Sequence, residues 1–141
     1  SLIIDLAAYR SRQKLKSLEE KFSSSLDDPI RFLTDVIYKY SLDLMIKIKT
    51  QPMYTEAFKI LKVKKADEIN QIERLYGEFL QKLIDYWREN KAIKSADEKG
   101  LSNAFIGSFL FCSEHHLFDE KYFEDVLKTY ISEIVKKYIK L

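Results

Sequence analysis

The sequence predicts an all-α fold, a bundle of six helices in a single domain, and three observations carry that prediction. Apolar residues recur three or four positions apart along most of the chain, the period of one helix face. Only three glycines and two prolines punctuate 141 residues, too few for the many turns of a strand-rich chain. A content of 46% hydrophobic and 33% charged residues is that of a globular domain with one core. No strand is expected, and no internal repeat or linker marks a second domain.

The first helix is expected from about Leu2 to Phe22. Leu2, Leu6 and Tyr9, then Leu15, Leu18 and Phe22, form its apolar side around a polar middle. SSSLDDP, residues 23 to 29, breaks the pattern with cap-forming side chains, and Pro29 suits a first helical turn, where its missing N–H leaves no bond unmade. The second helix starts there and turns Leu33, Val36, Ile37, Tyr40, Leu44 and Ile48 inward. It ends before Pro52, because a residue ahead of proline resists the α conformation. A short third helix, from about Met53 to Leu61, offers Ala57, Phe58 and Leu61 and leads into the basic turn KVKK.

The fourth helix, about Ala66 to Asn90, is the longest, ~37 Å by its rise per residue. Ile69, Ile72, Tyr76, Phe79, Leu80, Leu83 and Trp87 fall on one side, and Arg74, Glu78, Gln81, Asp85 and Arg88 on the other. In the fifth, about Glu98 to Leu117, apolar residues occupy every side, as in a helix buried all round. Ala104, Gly107 and Ser108, beside Phe111, form a mostly small-residue stripe that admits close approach of another helix. The sixth, from Asp119 to about Lys140, spreads Phe123, Val126, Leu127, Tyr130, Ile131, Ile134, Val135, Tyr138 and Ile139 over roughly 200 degrees, where one core needs only ~100 degrees. Two contacts are implied, one within the domain and one with a partner. The expected partner is a second copy, the last two helices of each subunit forming an intersubunit four-helix bundle. The candidate dimer interface is Ala104, Gly107, Ser108, Phe111, Val126, Tyr130 and Ile134. The alternative is that helices of the same chain cover both sides.

The stretch FLFCSEHHLFDEKYFED, residues 109 to 125, holds the only cysteine and both histidines. Cys112 and His116 share a helix face, but His115 points about 100 degrees away, so two metal ligands meet and not three or four. No metal or other cofactor is expected. Cys112 lies among phenylalanines, a setting that raises a thiol's pKa and leaves it unreactive. No phosphate loop, nucleophile elbow or paired metal motif occurs, so no enzyme is expected. The segment reads instead as a helix end, a turn and a new helix capped by Asp119, with Glu120 and Glu124 placed well for its dipole.

A net charge of +2 gives no strong pull toward nucleic acid or anionic membranes. Arg10, Arg12, Lys14 and Lys16 alternate by two and spread over two helix sides. Aromatics crowd the inward faces: Tyr40, Phe58, Tyr76, Phe79, Phe105 and Phe109, flanked by Val36 and Ile72. An ordinary core is the default account of them. Pockets between bundle helices are also common ligand sites, with tyrosine hydroxyls as polar fixtures, and these residues are the candidate ligand-binding set. One cysteine and no apolar run of ~20 residues point to the cytoplasm, with no membrane partner. A first residue of Ser1 leaves a fragment of a longer chain as an expectation.

Taken in order, DPIRFLTDVIYKY, a short helix, the long ADEINQIERLYGEFLQKLIDYWRENKAI, and GLSNAFIGSFLFCSEHHLFDEKYFEDVLKTYISEIVKKYI resemble the carboxy-terminal regulatory half of a TetR-family transcriptional regulator. The resemblance covers nearly the whole chain and rests on pattern, without a signature motif. It implies that the last two helices dimerise and that those before them enclose a pocket for a small hydrophobic or aromatic effector. It further implies a bacterial, cytoplasmic repressor in which the effector alters the spacing of two DNA-reading heads. The family's amino-terminal helix-turn-helix domain is absent, so DNA would be reached only through that missing part, with Leu2, Ile3 and Ile4 as the stub of the connecting helix. Two other readings stand beside it: a structural helical interaction module with no ligand, and a metal or thiol enzyme built on Cys112, His115 and His116.

Overall fold

Three aspartates set three helix starts. Asp28 accepts from the Arg31 N–H at 3.1 Å, Asp97 from Gly100 at 3.1 Å and Asp119 from Lys121 at 3.0 Å, each satisfying a donor that a first helical turn leaves over. The computed structural model describes residues 2–63 and 66–141, the side chains of 66–69 excepted. The expected inward placement of Ile69 and the basic turn at Lys64 and Lys65 therefore lie outside the described residues. Six helices follow in order: α1 (Leu2–Leu18), α2 (Pro29–Thr50), α3 (Pro52–Val63), α4 (Ala66–Glu89), α5 (Glu98–Ser113) and α6 (Glu120–Tyr138). The fold is all-α. Among the described residues no helix is long and apolar enough to cross a membrane.

Three details differ from the sequence reading. After Leu18 the first helix tightens into a 3₁₀ segment, Glu19–Ser25, which carries the buried Ser25 under α4. There the Trp87 indole N–H donates to Ser25 Oγ at 2.7 Å, and Ser25 Oγ donates to the Phe22 carbonyl at 2.6 Å. The expectation of no strand also needs correcting. Two-residue strands, β1 (Ser95–Ala96) and β2 (Ile139–Lys140), pair antiparallel. Flanking bonds run from Lys94 N–H to the Lys140 carbonyl at 2.7 Å and from Asp97 N–H to the Tyr138 carbonyl at 2.9 Å, so the backbone between α4 and α5 finds partners that no helix there supplies.

The third correction concerns α1. Leu2, Leu6 and Tyr9, expected inward, are 84, 40 and 58% exposed, while Ile4, Ala8 and Leu15 are buried. The run LIIDLAAY is apolar on both sides, and the side that turns in is the one whose alanines let α1 approach α3 and α4. Ile4 is held by its own domain, and of the proposed stub only Leu2 stands nearly free of cover.

At the centre lies α5, packed against α2, α4 and α6. Leu101, Phe105 and Cys112 of α5 meet Leu33 and Ile37 of α2 and Leu80, Leu83 and Trp87 of α4 in one apolar cluster. On α6 the buried residues are Phe123, Leu127, Ile131 and Val135, every fourth position and so a single stripe, which Ile139 of β2 continues. The neighbouring row, Tyr122, Val126, Tyr130, Ile134 and Tyr138, is exposed or half-buried.

Candidate functional site

Between α3 and the helices around it the core opens into a cavity of about 210 Å³. Ile4, Ala7 and Ser11 of α1 form one wall, Tyr54, Ala57, Phe58, Leu61 and Lys62 of α3 another. Leu44 of α2, Ile72 and Tyr76 of α4, and Ile106, Phe109 and Leu110 of α5 also line it among the described residues. The space exists because α1 and α3 present small side chains, Ala7, Ser11 and Ala57, opposite the aromatic floor. Large neighbours in rigid helices do not collapse into such gaps.

Of the candidate ligand-binding residues, Phe58, Ile72, Tyr76 and Phe109 line this cavity, and Val36, Tyr40, Phe79 and Phe105 do not. The Phe105 ring stacks on Tyr76 with centroids 4.8 Å apart, and Tyr40 stands edge-on to both at 6.2 Å. Phe79 meets Phe105 edge-on at 6.4 Å. These rings fill the interior beneath the floor. Val36 is half-buried and packs on the central cluster. The wall contributed by α1, together with Leu44, Tyr54, Ala57, Leu61, Lys62, Ile106 and Leu110, was missed as lining. The alignment of small residues on two helices was its only available sign.

The floor carries the polar groups. The Tyr40 hydroxyl donates to the Ser11 carbonyl at 3.2 Å. Burial pushes the Tyr40 phenol up to about 12 and raises that of Tyr76 well above its ordinary value, its hydrogen bonds with Ser11 and Tyr40 acting in opposite directions. Both phenols are therefore neutral hydrogen-bonding groups at physiological pH. Lys62 is the only charged side chain among the described residues lining the cavity. Its ammonium pairs with Glu114, the residue that ends α5, so the pair ties the last turn of α3 to the α5 terminus. The Lys62 hydrogen bond holds the Glu114 carboxyl below its ordinary value.

Cys112 and the two histidines differ in their surroundings. Cys112 is fully buried, and burial pushes its thiol up to about 12. His115 and His116 sit in a short 3₁₀ turn, His115–Leu117, between α5 and α6. Among the described residues no group of three or more histidine, cysteine or acidic side chains is placed to hold a metal ion.

Within the candidate interface set, Ala104 and Ser108 are covered by the chain itself. Ser108 Oγ donates to the Ala104 carbonyl at 2.7 Å. Gly107 lies directly beneath the Tyr130 hydroxyl, and the Tyr130 ring packs on Phe111 at 5.0 Å. Val126, at 41% exposed, Tyr130, Ile134 and Phe111 remain at the surface.

No family model, no curated protein and no solved structure matches this chain.

Proposed function

We propose that the chain is an effector-binding and dimerisation domain of the TetR regulatory type, taking a small apolar ligand between α3 and the rest of the bundle. The cavity carries this reading. An apolar hollow of about 210 Å³ leaves its lining side chains without packing partners on one side. A purely structural helical module gains nothing in return for that loss. A ligand recovers it, since each buried methylene is worth about 0.8 kcal/mol.

The position of the cavity fits a regulator. Ile4, Ala7 and Ser11 make α1 one of its walls, so occupancy bears directly on the helix that in the resembled family leads to the DNA-binding head. In this reading ligand and α1 orientation are coupled through side-chain packing.

Thermal unfolding with and without an apolar probe such as 1-octanol tests the proposal. At a hundredfold excess over Kd a bound probe adds about 2.7 kcal/mol, several degrees in Tm. Ala57→Leu, which extends a lining side chain into the void, should raise Tm by itself and abolish the probe's effect. Unchanged melting across a panel of apolar probes would leave the structural-module reading in its place.

A further inference from the structure

The one cation among the described residues lining the cavity, Lys62, says more about the ligand than the apolar walls do. Lys62 and Glu114 have side chains 42 and 35% exposed, so the pair lies at the cavity's edge, where a charged group stays partly hydrated. Leu44, Phe58, Ile72 and Phe109 offer no counter-charge, and the Tyr40 hydroxyl already donates to the Ser11 carbonyl. A charged head buried at the floor would stand unpaired, which is strongly unfavourable. The ligand's inner end is therefore apolar, and its polar end sits at Lys62.

The cavity, about 210 Å³, exceeds by far what one small group needs, so a short apolar chain fits it. We propose that the ligand is a linear monocarboxylate of medium chain length, with its chain in the cavity and its carboxylate taking Glu114's place on Lys62. This rests on the ligand-cavity reading and goes further by naming the ligand's charge and orientation. Glu114 is then a built-in competitor: it neutralises Lys62 in the empty state, and its displacement by the ligand releases the tie between α3 and the end of α5.

Calorimetric titration of the whole chain with octanoate, 1-octanol and octylammonium at neutral pH separates the two layers of the argument. Octanoate should bind about tenfold more tightly than octanol, the worth of one charge-assisted hydrogen bond, and octylammonium most weakly. Lys62→Met should bring octanoate down to the level of octanol. Glu114→Gln should tighten octanoate alone, an effect that a merely structural salt bridge would not produce. Octanol binding as tightly as octanoate, with Lys62→Met and Lys62→Gln without effect, overturns the carboxylate assignment while the ligand cavity stands. If none of the three probes binds, the cavity reading fails and this inference fails with it.

Discussion

Ser41 is fully buried on α2, and its hydroxyl has no hydrogen-bond partner among the described residues. A buried donor left unpaired costs free energy that its removal returns, and alanine is the better helix former. Ser41→Ala should stabilise the domain by about 0.5–1 kcal/mol, read as a higher urea midpoint at unchanged slope. A lower midpoint would mean that the hydroxyl is paired after all. The same scale shows how much of the cavity was legible. Phe58, Ile72, Tyr76 and Phe109 could be found because an inward aromatic or aliphatic residue on an amphipathic helix has few places to go. Tyr40, Phe79 and Phe105 carry the same signal and lie in the filled interior instead. Periodicity reports that a side chain turns inward, and it is silent on whether the space ahead of it is occupied. Lys62 gave no sign at all, since a lysine at the end of an amphipathic helix reads as solvated surface.

At the scale of elements, helix ends matter most. Helix α4 stops at a turn in which Ala92 N–H reaches the Trp87 carbonyl at 2.8 Å and Lys91 N–H the Arg88 carbonyl at 3.1 Å. This paired closure needs its penultimate residue in the left-handed region. Lys91 occupies it with φ 57°, a conformation that a β-carbon disfavours. Lys91→Gly should therefore stabilise the domain by about 1 kcal/mol, raising Tm by a few degrees in a calorimetric scan. No change would show that the flexibility glycine adds to the unfolded chain cancels the relief. Other helix ends were open to reading from local chemistry: Asp28 with Pro29, the proline at 52, and Asp119. The β1–β2 pair was not, because its partners stand at opposite ends of the last two helices and meet only once α5 and α6 are packed. The same packing explains two of the glycines. Gly100 and Gly107 lie under the rings of Tyr138 and Tyr130, so the small side of α5 receives aromatics of its own chain's α6.

At the scale of the whole molecule, that intrachain contact refines the proposed dimer. Same-chain helices cover the row from Phe123 to Ile139, and Ala104 and Ser108 with it, which leaves the row Tyr122, Val126, Tyr130, Ile134 and Tyr138 together with Phe111 as the outward apolar face. Two adjacent helices of this length present a strip about 28 Å long and about 20 Å wide, on the scale of the roughly 800 Å² per partner that stable dimers bury. A two-fold axis across it would set α5 and α6 of each subunit into a four-helix bundle. Sedimentation velocity at micromolar concentration should therefore find a dimer, and Val126→Glu, which places a charge at the centre of the face, should yield a folded monomer. A monomeric wild-type chain removes the dimer from the proposal. No residue of α6 lines the cavity, so Val126→Glu should bind octanol as the wild-type chain does. Binding that survives in the monomer would place the effector site wholly within one subunit, with α1 as the element through which it acts.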